Sequence, residues 1–390
     1  MRYPVIDGFR GFFLIFMMVV HLNLELDTIL GKLNHHYLGW VEDAQGFVFI
    51  SGFVVGLVYT GIMLRRSELA MQGAIWARIG TIWSHQAGLI FLFLLAALSL
   101  PALGVPASVF APYNAEPIAF TTASLMLVAA SKHMGILPMY IWFMMITPLV
   151  LRAFASGYAV AVLVSSVLLW MFAQTGLVDL FTLHAQQLLA GTGHPIKLGI
   201  FFNVFGWQVL FFGGLWLGFL TATGKLNLLV LKDRPWTVVA IMAAMGFVAF
   251  ALLDRLVYWN LVSEEFSVRF LAKSSRQDLS PVHVINFGFD LFLVTWLLVA
   301  GRESGIRVFF WMSNMVHWVF TRPALVLLGQ HSLHVFSFHI LVVYVAAVIF
   351  DAGPPTELTG SILLILGVLS LWLPAYLNAR TQAAKRARPA

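Results

Sequence analysis

Apolar stretches that are long enough to cross a lipid bilayer recur along nearly the whole sequence. A membrane-spanning helix needs about 20 predominantly apolar residues. The candidate spans are roughly 8–26, 45–63, 81–100, 137–154, 157–175, 204–222, 236–254, 285–301, 333–350 and 359–378. The pattern predicts an all-α fold, a polytopic membrane helical bundle of about ten transmembrane helices.

The composition excludes several other kinds of protein. Only 10% of the 390 residues are charged, whereas soluble domains carry about a quarter. We therefore expect one transmembrane domain over residues 1–380, followed by a basic cytoplasmic tail at 381–390. The absence of cysteine excludes disulfides, thiolate metal sites and a cysteine nucleophile. The N-terminal apolar stretch has no small-residue cleavage site, so we expect it to remain as the first helix.

The basic residues fall mainly in alternate loops. Because Lys and Arg near helix ends concentrate on the cytoplasmic side, these loops and both termini are predicted to be cytoplasmic; the basic residues are Arg2, Arg65, Arg66, Arg78, Arg152, Lys225, Lys232, Arg234, Arg302, Arg307, Arg322, Arg380, Lys385, Arg386 and Arg388. The opposite loops carry acidic residues, except that 255–284 is mixed. The net charge of +6 is therefore interpreted as a topology signal, and no nucleic-acid partner is expected.

Two further apolar segments do not fit the regular pattern of spans. Segment 117–133 lies between two prolines and is predicted to be an interfacial or re-entrant helix. Segment 306–321 is short and aromatic, so it is expected to lie along the cytoplasmic interface. The sequence has no internal repeat, which argues against an inverted-repeat transporter.

Four ionisable residues share one face of the first predicted helix. At about 100° per residue, Asp7 and Glu25 fall at the same angle, and Arg10 and His21 lie within about 60° of them. His21 lies about 16 Å further along the axis than Arg10, at ~1.5 Å per residue. Ionisable residues within a span are costly and indicate function by default. This stripe should therefore face the interior of the bundle.

The residue types on this stripe indicate acid–base chemistry. A histidine beside a carboxylate is a common general-base arrangement, so His21 is the candidate base and Glu25, one turn beyond it, is expected to orient its ring. Arg10 can pair with Asp7 at i, i+3 or bind phosphates that enter from the cytoplasm. The alternative is that Asp7 and Arg10 are boundary residues and His21 is a satisfied interior histidine.

Polar residues elsewhere in the spans suggest further contacts. Ser332 and His339 are seven apart on the ninth span and can line one cavity. Asn203 and Gln208 should face a partner, a cavity or the headgroups, while Trp207 is a site residue or an interfacial anchor.

Other polar and small residues indicate function less specifically. Ser51, Gly52 and Gly56 favour close helix packing. His35 and His36 are expected to be solvated. No histidine spacing matches a zinc motif, so no metal site is expected.

Several of these motifs together resemble a known family. The run from Asp7 to Gly11 continuing to His21, the segment Phe49–Phe53, and Leu328-Gly329 with Ser332 and His339 resemble the membrane acyltransferase superfamily. Within it, residues 137–140 and the run 201–208 look like the OpgC family. The resemblance covers nearly the whole chain.

Proteins of the OpgC family are taken to succinylate osmoregulated periplasmic glucans with acyl-CoA from the cytoplasm. The resemblance implies a multi-pass O-succinyltransferase of the bacterial inner membrane, with succinyl-CoA as donor substrate, no separate cofactor and a periplasmic glucan as acceptor. It makes His21 the catalytic histidine, and Arg10 a residue that helps to hold the coenzyme. With Glu25 as the second catalytic candidate, the predicted substrate-binding residues are Asp7, Arg10, Glu42, Asp43, Ser51, Asn203, Trp207, Gln208, Ser332 and His339.

The sequence departs from the family pattern at two positions. Gln45 stands where an acidic residue is expected, which suggests a changed acceptor or a site that relies on Glu42 or Asp43. Val204 replaces an expected proline. Alternatives are an acetyltransferase that acts on another envelope glycan, and a secondary transporter or glycan permease without enzymatic activity. The sequence does not indicate an oligomeric state.

Overall fold

The structure, a computed structural model, describes residues 3–387. Arg2, Arg388 and the side chain of Arg386, which contributed to the predicted topology, lie outside this description. Over the described range the chain is helical apart from loops and one isolated bridge, and its helices are α1 (Pro4–Leu26), α2 (Ile29–Lys32), α3 (Asp43–Arg65), α4 (Glu68–Ser99), α5 (Ala111–Ala115), α6 (Pro117–Leu125), α7 (Ile136–Ala155), α8 (Ala159–Ala173), α9 (Leu177–Gly191), α10 (Val204–Ala222), α11 (Arg234–Tyr258), α12 (Glu264–Ala272), α13 (Pro281–Val299), α14 (Arg307–Phe320), α15 (Pro323–Gln330), α16 (Ser332–Ile349), α17 (Glu357–Ser370) and α18 (Trp372–Ala387).

The described helices confirm the predicted all-α membrane bundle. Nine helical segments between residues 3 and 387 are long and apolar enough to cross a membrane, with α17 and α18 together forming one of them. The number rises to ten when α8 and α9, which meet at a bend of 62°, count as one further span. These segments coincide with the ten predicted spans.

The direction of paired helices favours ten crossings over nine. Gly52 and Gly56 of α3 face Phe211 and Leu215 of α10 in the same order along both helices, so the two helices run parallel. Parallel spans must be separated by an odd number of crossings. Because α4 and α7 supply only two, the bent pair α8–α9 supplies the third. An even total places both ends of the bundle on one side.

One helix begins much earlier than its predicted span. The third apolar stretch was predicted from residue 81, yet α4 begins at Glu68, where the Ser67 side chain caps it by accepting a hydrogen bond from the Ala70 amide. Arg78, predicted as a loop residue that reports topology, therefore lies inside a helix. From this helical position, the Arg78 side chain can line a cavity inside the bundle.

The two irregular segments are short helices. In segment 117–133, α6 ends at Leu125 after 9 residues, which is too short to span. In segment 306–321, α14 buries Phe309 and Ser313 and leaves Phe310, Trp311 and Trp318 exposed. Its one-sided apolar surface agrees with a helix that lies along an interface.

Small residues let α1 pack closely against the region before α16. A Cβ atom added at Gly11 would lie 2.1 Å from the Leu325 carbonyl oxygen, and one at Gly329 would lie 1.8 Å from the Asp7 carbonyl oxygen. Only glycine permits backbones to approach this closely. This contact fixes α1 beside the start of α16 and sets the register of their polar side chains.

Candidate active site

The polar stripe of α1 meets two polar side chains of α16. Arg10 donates a hydrogen bond from Nη2 to Ser332 Oγ at 2.5 Å, and Nδ1 of His21 lies 2.9 Å from Nε2 of His339. Both contacts follow the same order along the two helices, so α1 and α16 run parallel. The predicted inward-facing stripe and the shared face of Ser332 and His339 therefore form one line of contacts through the bundle.

At the Arg10 end of this line, two arginines share a narrow cavity. Arg10 and Arg78 line it together with Ser51, Tyr140 and Ser332. The nearest carboxylate is Asp7, with Oδ1 3.9 Å from Nη1 of Arg10. Arg10 Nε is buried without a hydrogen-bond partner, and Arg78 makes no hydrogen bond or ion pair within residues 3–387. The cavity therefore carries an excess of positive charge suited to an anion.

A loop whose histidine was not predicted to be a site residue covers His21. The loop between α6 and α7 places the His133 ring 4.0 Å from the His21 ring, centroid to centroid. His133 adopts a left-handed backbone with φ of 66°, a conformation that is uncommon for non-glycine residues but more frequent for histidine than for most of them. Burial lowers the pKa of His133 to about 3, with the positive charges of its neighbours acting in the same direction. His133 is therefore neutral at physiological pH.

Glu25 does not orient the His21 ring as predicted. Its Oε1 accepts a hydrogen bond from Nζ of Lys132 at 2.6 Å, while His339 occupies Nδ1 of His21. The helical wheel places Glu25 on the same face of α1 as His21. Its carboxylate is nevertheless paired with Lys132, which lies in the same loop as His133. Within the described residues, Nε2 of His21 makes no hydrogen bond, so it is the nitrogen available to a substrate.

The acidic pair at the start of α3 is already engaged. Glu42 forms an ion pair with Arg276, and the buried Asp43 carboxylate meets His36 at 2.8 Å and His35 at 3.3 Å. The expectation that both histidines are solvated is wrong, because their side chains are only 23% and 18% exposed. Burial lowers the pKa of each of them. Glu42 and Asp43 are not brought into the cavity at Arg10.

The predicted group at the start of α10 lies away from that cavity. Asn203 caps α10 and donates to Asp278 at 2.8 Å, and buried Trp207 donates to the Gln277 carbonyl at 3.0 Å, which corrects its reading as an interfacial anchor. Gln208 exchanges hydrogen bonds with Ser166. Asn203 and Trp207 hold the loop that carries Arg276 to Glu42, and Gln208 joins α8 to α10. Their predicted contacts with substrate stay predictions.

The remaining histidines of the ninth span are separate from His339. His331 and His334 both lie within hydrogen-bond distance of the Asn378 amide nitrogen, at 2.9 and 3.1 Å. His334 also packs edge-on against His85. These side chains link α16 to α18 and α4.

A family model described as OpgC protein matches residues 2–383. The chain belongs to the OpgC family. Comparison with curated proteins and with solved structures returned no match. Membership of the OpgC family, together with the apolar helices, supports a multi-pass membrane protein of acyltransferase type. In this OpgC-family chain, the sequence motifs that resemble the family lie partly on α1 and α16. These two helices meet at the Arg10–Ser332 and His21–His339 contacts.

Proposed function

We propose that this protein transfers an acyl group from cytoplasmic acyl-CoA to a hydroxyl group of a periplasmic glucan, with succinyl as the acyl group. The observation that carries the proposal is the hydrogen bond between His21 and His339, set on the same helix pair as the cationic cavity at Arg10. One line of contacts then links a site for phosphate to a site for proton transfer.

The acyl-CoA donor is proposed to enter from the cytoplasm at the Arg10 end of this line of contacts. Arg10 and Arg78 supply two cations with a single nearby carboxylate, which suits the phosphates of coenzyme A. Arg10 and His21 are eleven positions apart, about 16 Å along the helix axis. The long, thin arm of acyl-CoA bridges such a distance, with its thioester at the level of His21.

The base is proposed to be His21 Nε2. When His21 Nδ1–H donates to His339 Nε2, the other nitrogen of His21 is unprotonated and can accept a proton. The acceptor oxygen attacks the thioester carbonyl carbon, its proton moves to His21 Nε2, and the thiolate of coenzyme A leaves and is then protonated. Direct transfer is favoured over an acyl-cysteine, because the chain has no cysteine, and over an acyl-serine at Ser332, because Ser332 contacts Arg10 rather than a histidine.

The succinyl donor requires one more cation than an acetyl donor. Its free carboxylate must be neutralised near the thioester, because an unpaired charge within the membrane is costly. Lys132 fits this role, since it adjoins His133, whose ring packs on His21. In the structure, Lys132 is paired with Glu25.

The test combines glucan analysis with assays of purified protein. Periplasmic glucans from cells with the wild type, with His21→Gln and with no protein are compared by mass spectrometry, and coenzyme A release is measured with succinyl-CoA and acetyl-CoA. We expect succinylated glucans only with the wild type, and a fall in coenzyme A release of about 10²–10⁴-fold for His21→Gln.

Two outcomes would count against the proposal. Normal glucan substitution by well-folded His21→Gln would exclude His21 as the base. Glucan flux across the membrane without coenzyme A release would indicate a transporter or permease instead. Acetylated products, or substitution of another envelope glycan, would retain the chemistry and replace the donor or the acceptor.

A further inference from the structure

Three metal-binding side chains converge where the first interhelical loop meets the start of α3. His35 and His36 lie in a single turn of 3₁₀ helix, and Asp43 is the first residue of α3. One ligand atom from each of the three side chains lies within 4.8 Å of the other two. The loop folds back over seven residues to bring the histidines onto the carboxylate.

One of the two distances at this cluster equals the spacing of ligands around one ion, and the other is that of a hydrogen bond. His36 Nε2 lies 2.8 Å from Asp43 Oδ2, and His35 Nε2 lies 3.3 Å from Asp43 Oδ1. Ligands at ~2.0–2.2 Å from a tetrahedral ion are about 3.3–3.6 Å apart. Small side-chain movements therefore suffice to place a metal between the three groups.

The buried carboxylate at the centre of the cluster is incompletely satisfied. The Asp43 side chain is only 2% exposed, and its Oδ1 is a buried atom with no hydrogen-bond partner. Arg276 forms its ion pair with Glu42 and not with Asp43. A buried carboxylate without a full charge partner is costly. A divalent cation would supply that charge and coordinate Oδ1, which accepts no hydrogen bond.

We propose that His35, His36 and Asp43 bind one divalent transition-metal ion, with Zn²⁺ as the favoured ion. Two imidazole nitrogens and one carboxylate oxygen are ligands that suit zinc. Three protein ligands leave a fourth position for water. The ion joins the first interhelical loop to α3 beside the Glu42–Arg276 pair. This site goes beyond the proposed acyl transfer and does not depend on it.

The experiment uses the full chain, purified in detergent with an affinity tag that contains no histidine. Metal is removed with a chelator, Zn²⁺ is added, unbound metal is removed, and zinc per chain is measured by mass spectrometry. We expect one ion per chain and a higher thermal unfolding midpoint with zinc, because a ligand that binds the folded state stabilises it. Co²⁺ should give the visible absorption spectrum of a four-coordinate nitrogen–oxygen site.

Matched variants locate the ion. His36→Asn and Asp43→Asn should each lose the bound zinc and the zinc-dependent rise in unfolding midpoint. His184→Asn, at an exposed histidine of α9, should keep both. Equal zinc content in all four proteins would overturn the proposal and assign the metal to adventitious binding.

The proposal stays testable if the variants do not fold. In that case, wild-type protein that binds no zinc, or that binds Co²⁺ without the four-coordinate spectrum, overturns it. Wild-type protein that binds one ion with that spectrum supports it. Coenzyme A release by wild-type protein with and without zinc is a separate readout. It tests the proposed function, whereas zinc content and the Co²⁺ spectrum test the metal site.

Discussion

Nδ1 of His21 and Nε2 of His339 lie 2.9 Å apart although 318 positions separate the two residues along the chain. The pair joins the first and ninth spans in the interior of the bundle, where His339 is fully buried. A histidine that holds another histidine by one ring nitrogen fixes which nitrogen of the second ring is free. In the proposed mechanism, His339 is therefore a positioning residue for His21.

His339→Phe should lower kcat and leave the KM for acyl-CoA nearly unchanged. The ring of His21 loses its partner, while the donor site at Arg10 is intact. The loss should be smaller than the about 10²–10⁴-fold expected for removal of the base itself. His339→Gln, which can still accept a hydrogen bond, should recover part of the rate. Equal kcat in all three proteins would show that the contact does not position His21.

Arg78→Ala should raise the KM for acyl-CoA. A hydrogen bond to a charged group contributes about 1.5–3 kcal/mol, so the KM should rise about 10- to 100-fold. Arg152→Ala is the matched control, because this arginine is 67% exposed at the end of α7 and pairs loosely with Glu68. Steady-state kinetics with varied acyl-CoA make the comparison. Similar KM values in both variants would remove Arg78 from the donor site.

Lys132→Met should change the choice of donor. The succinyl carboxylate loses its cation, so kcat/KM should fall about 10- to 100-fold more for succinyl-CoA than for acetyl-CoA. The ratio between donors corrects for any general effect of leaving Glu25 unpaired. Lys197→Met, at an exposed lysine, should leave the ratio unchanged. An unaltered ratio in Lys132→Met would place the acyl carboxylate elsewhere.

Stability should decrease on acidification, partly through His133. The pKa of His133 is about 3 when folded and 6.5 in the absence of structure. Between these values the unfolded chain binds a proton that the folded chain does not, so the free energy of unfolding falls as pH decreases below about 6.5. Thermal unfolding from pH 8 to pH 5 should show a weaker pH dependence in His133→Gln. An identical dependence would mean that His133 is not buried in its neutral form.

Gly329→Ala should prevent close packing of α1 and lower the yield of folded protein. The added methyl group would overlap the Asp7 carbonyl oxygen, which lies 1.8 Å away; overpacking typically costs about 1–3 kcal/mol. Gly88→Ala in α4 is the control, since no atom lies within 4 Å of its Cβ position. Size-exclusion profiles and unfolding midpoints compare them. A folded, wild-type-like Gly329→Ala would contradict the close contact.

The sequence by itself determined the spans and the polar face of the first helix. Hydropathy and the 3.6-residue period are local properties, so they predicted ten spans, the inward stripe of Arg10 and His21, and the common face of Ser332 and His339. All of these agree with the helices as they pack. The family motifs could be recognised from the sequence because each of them is local and lies within or beside one helix.

Only the tertiary structure decided which groups meet. Arg78 reaches the cavity at Arg10 because α4 begins at Glu68. His133 and Lys132 reach the first helix on an irregular loop, and the first interhelical loop turns His35 and His36 onto Asp43. A helix wheel gives the direction of a side chain but not its partner. Partners depend on loop paths and on contacts between residues far apart in the chain, which no local period encodes.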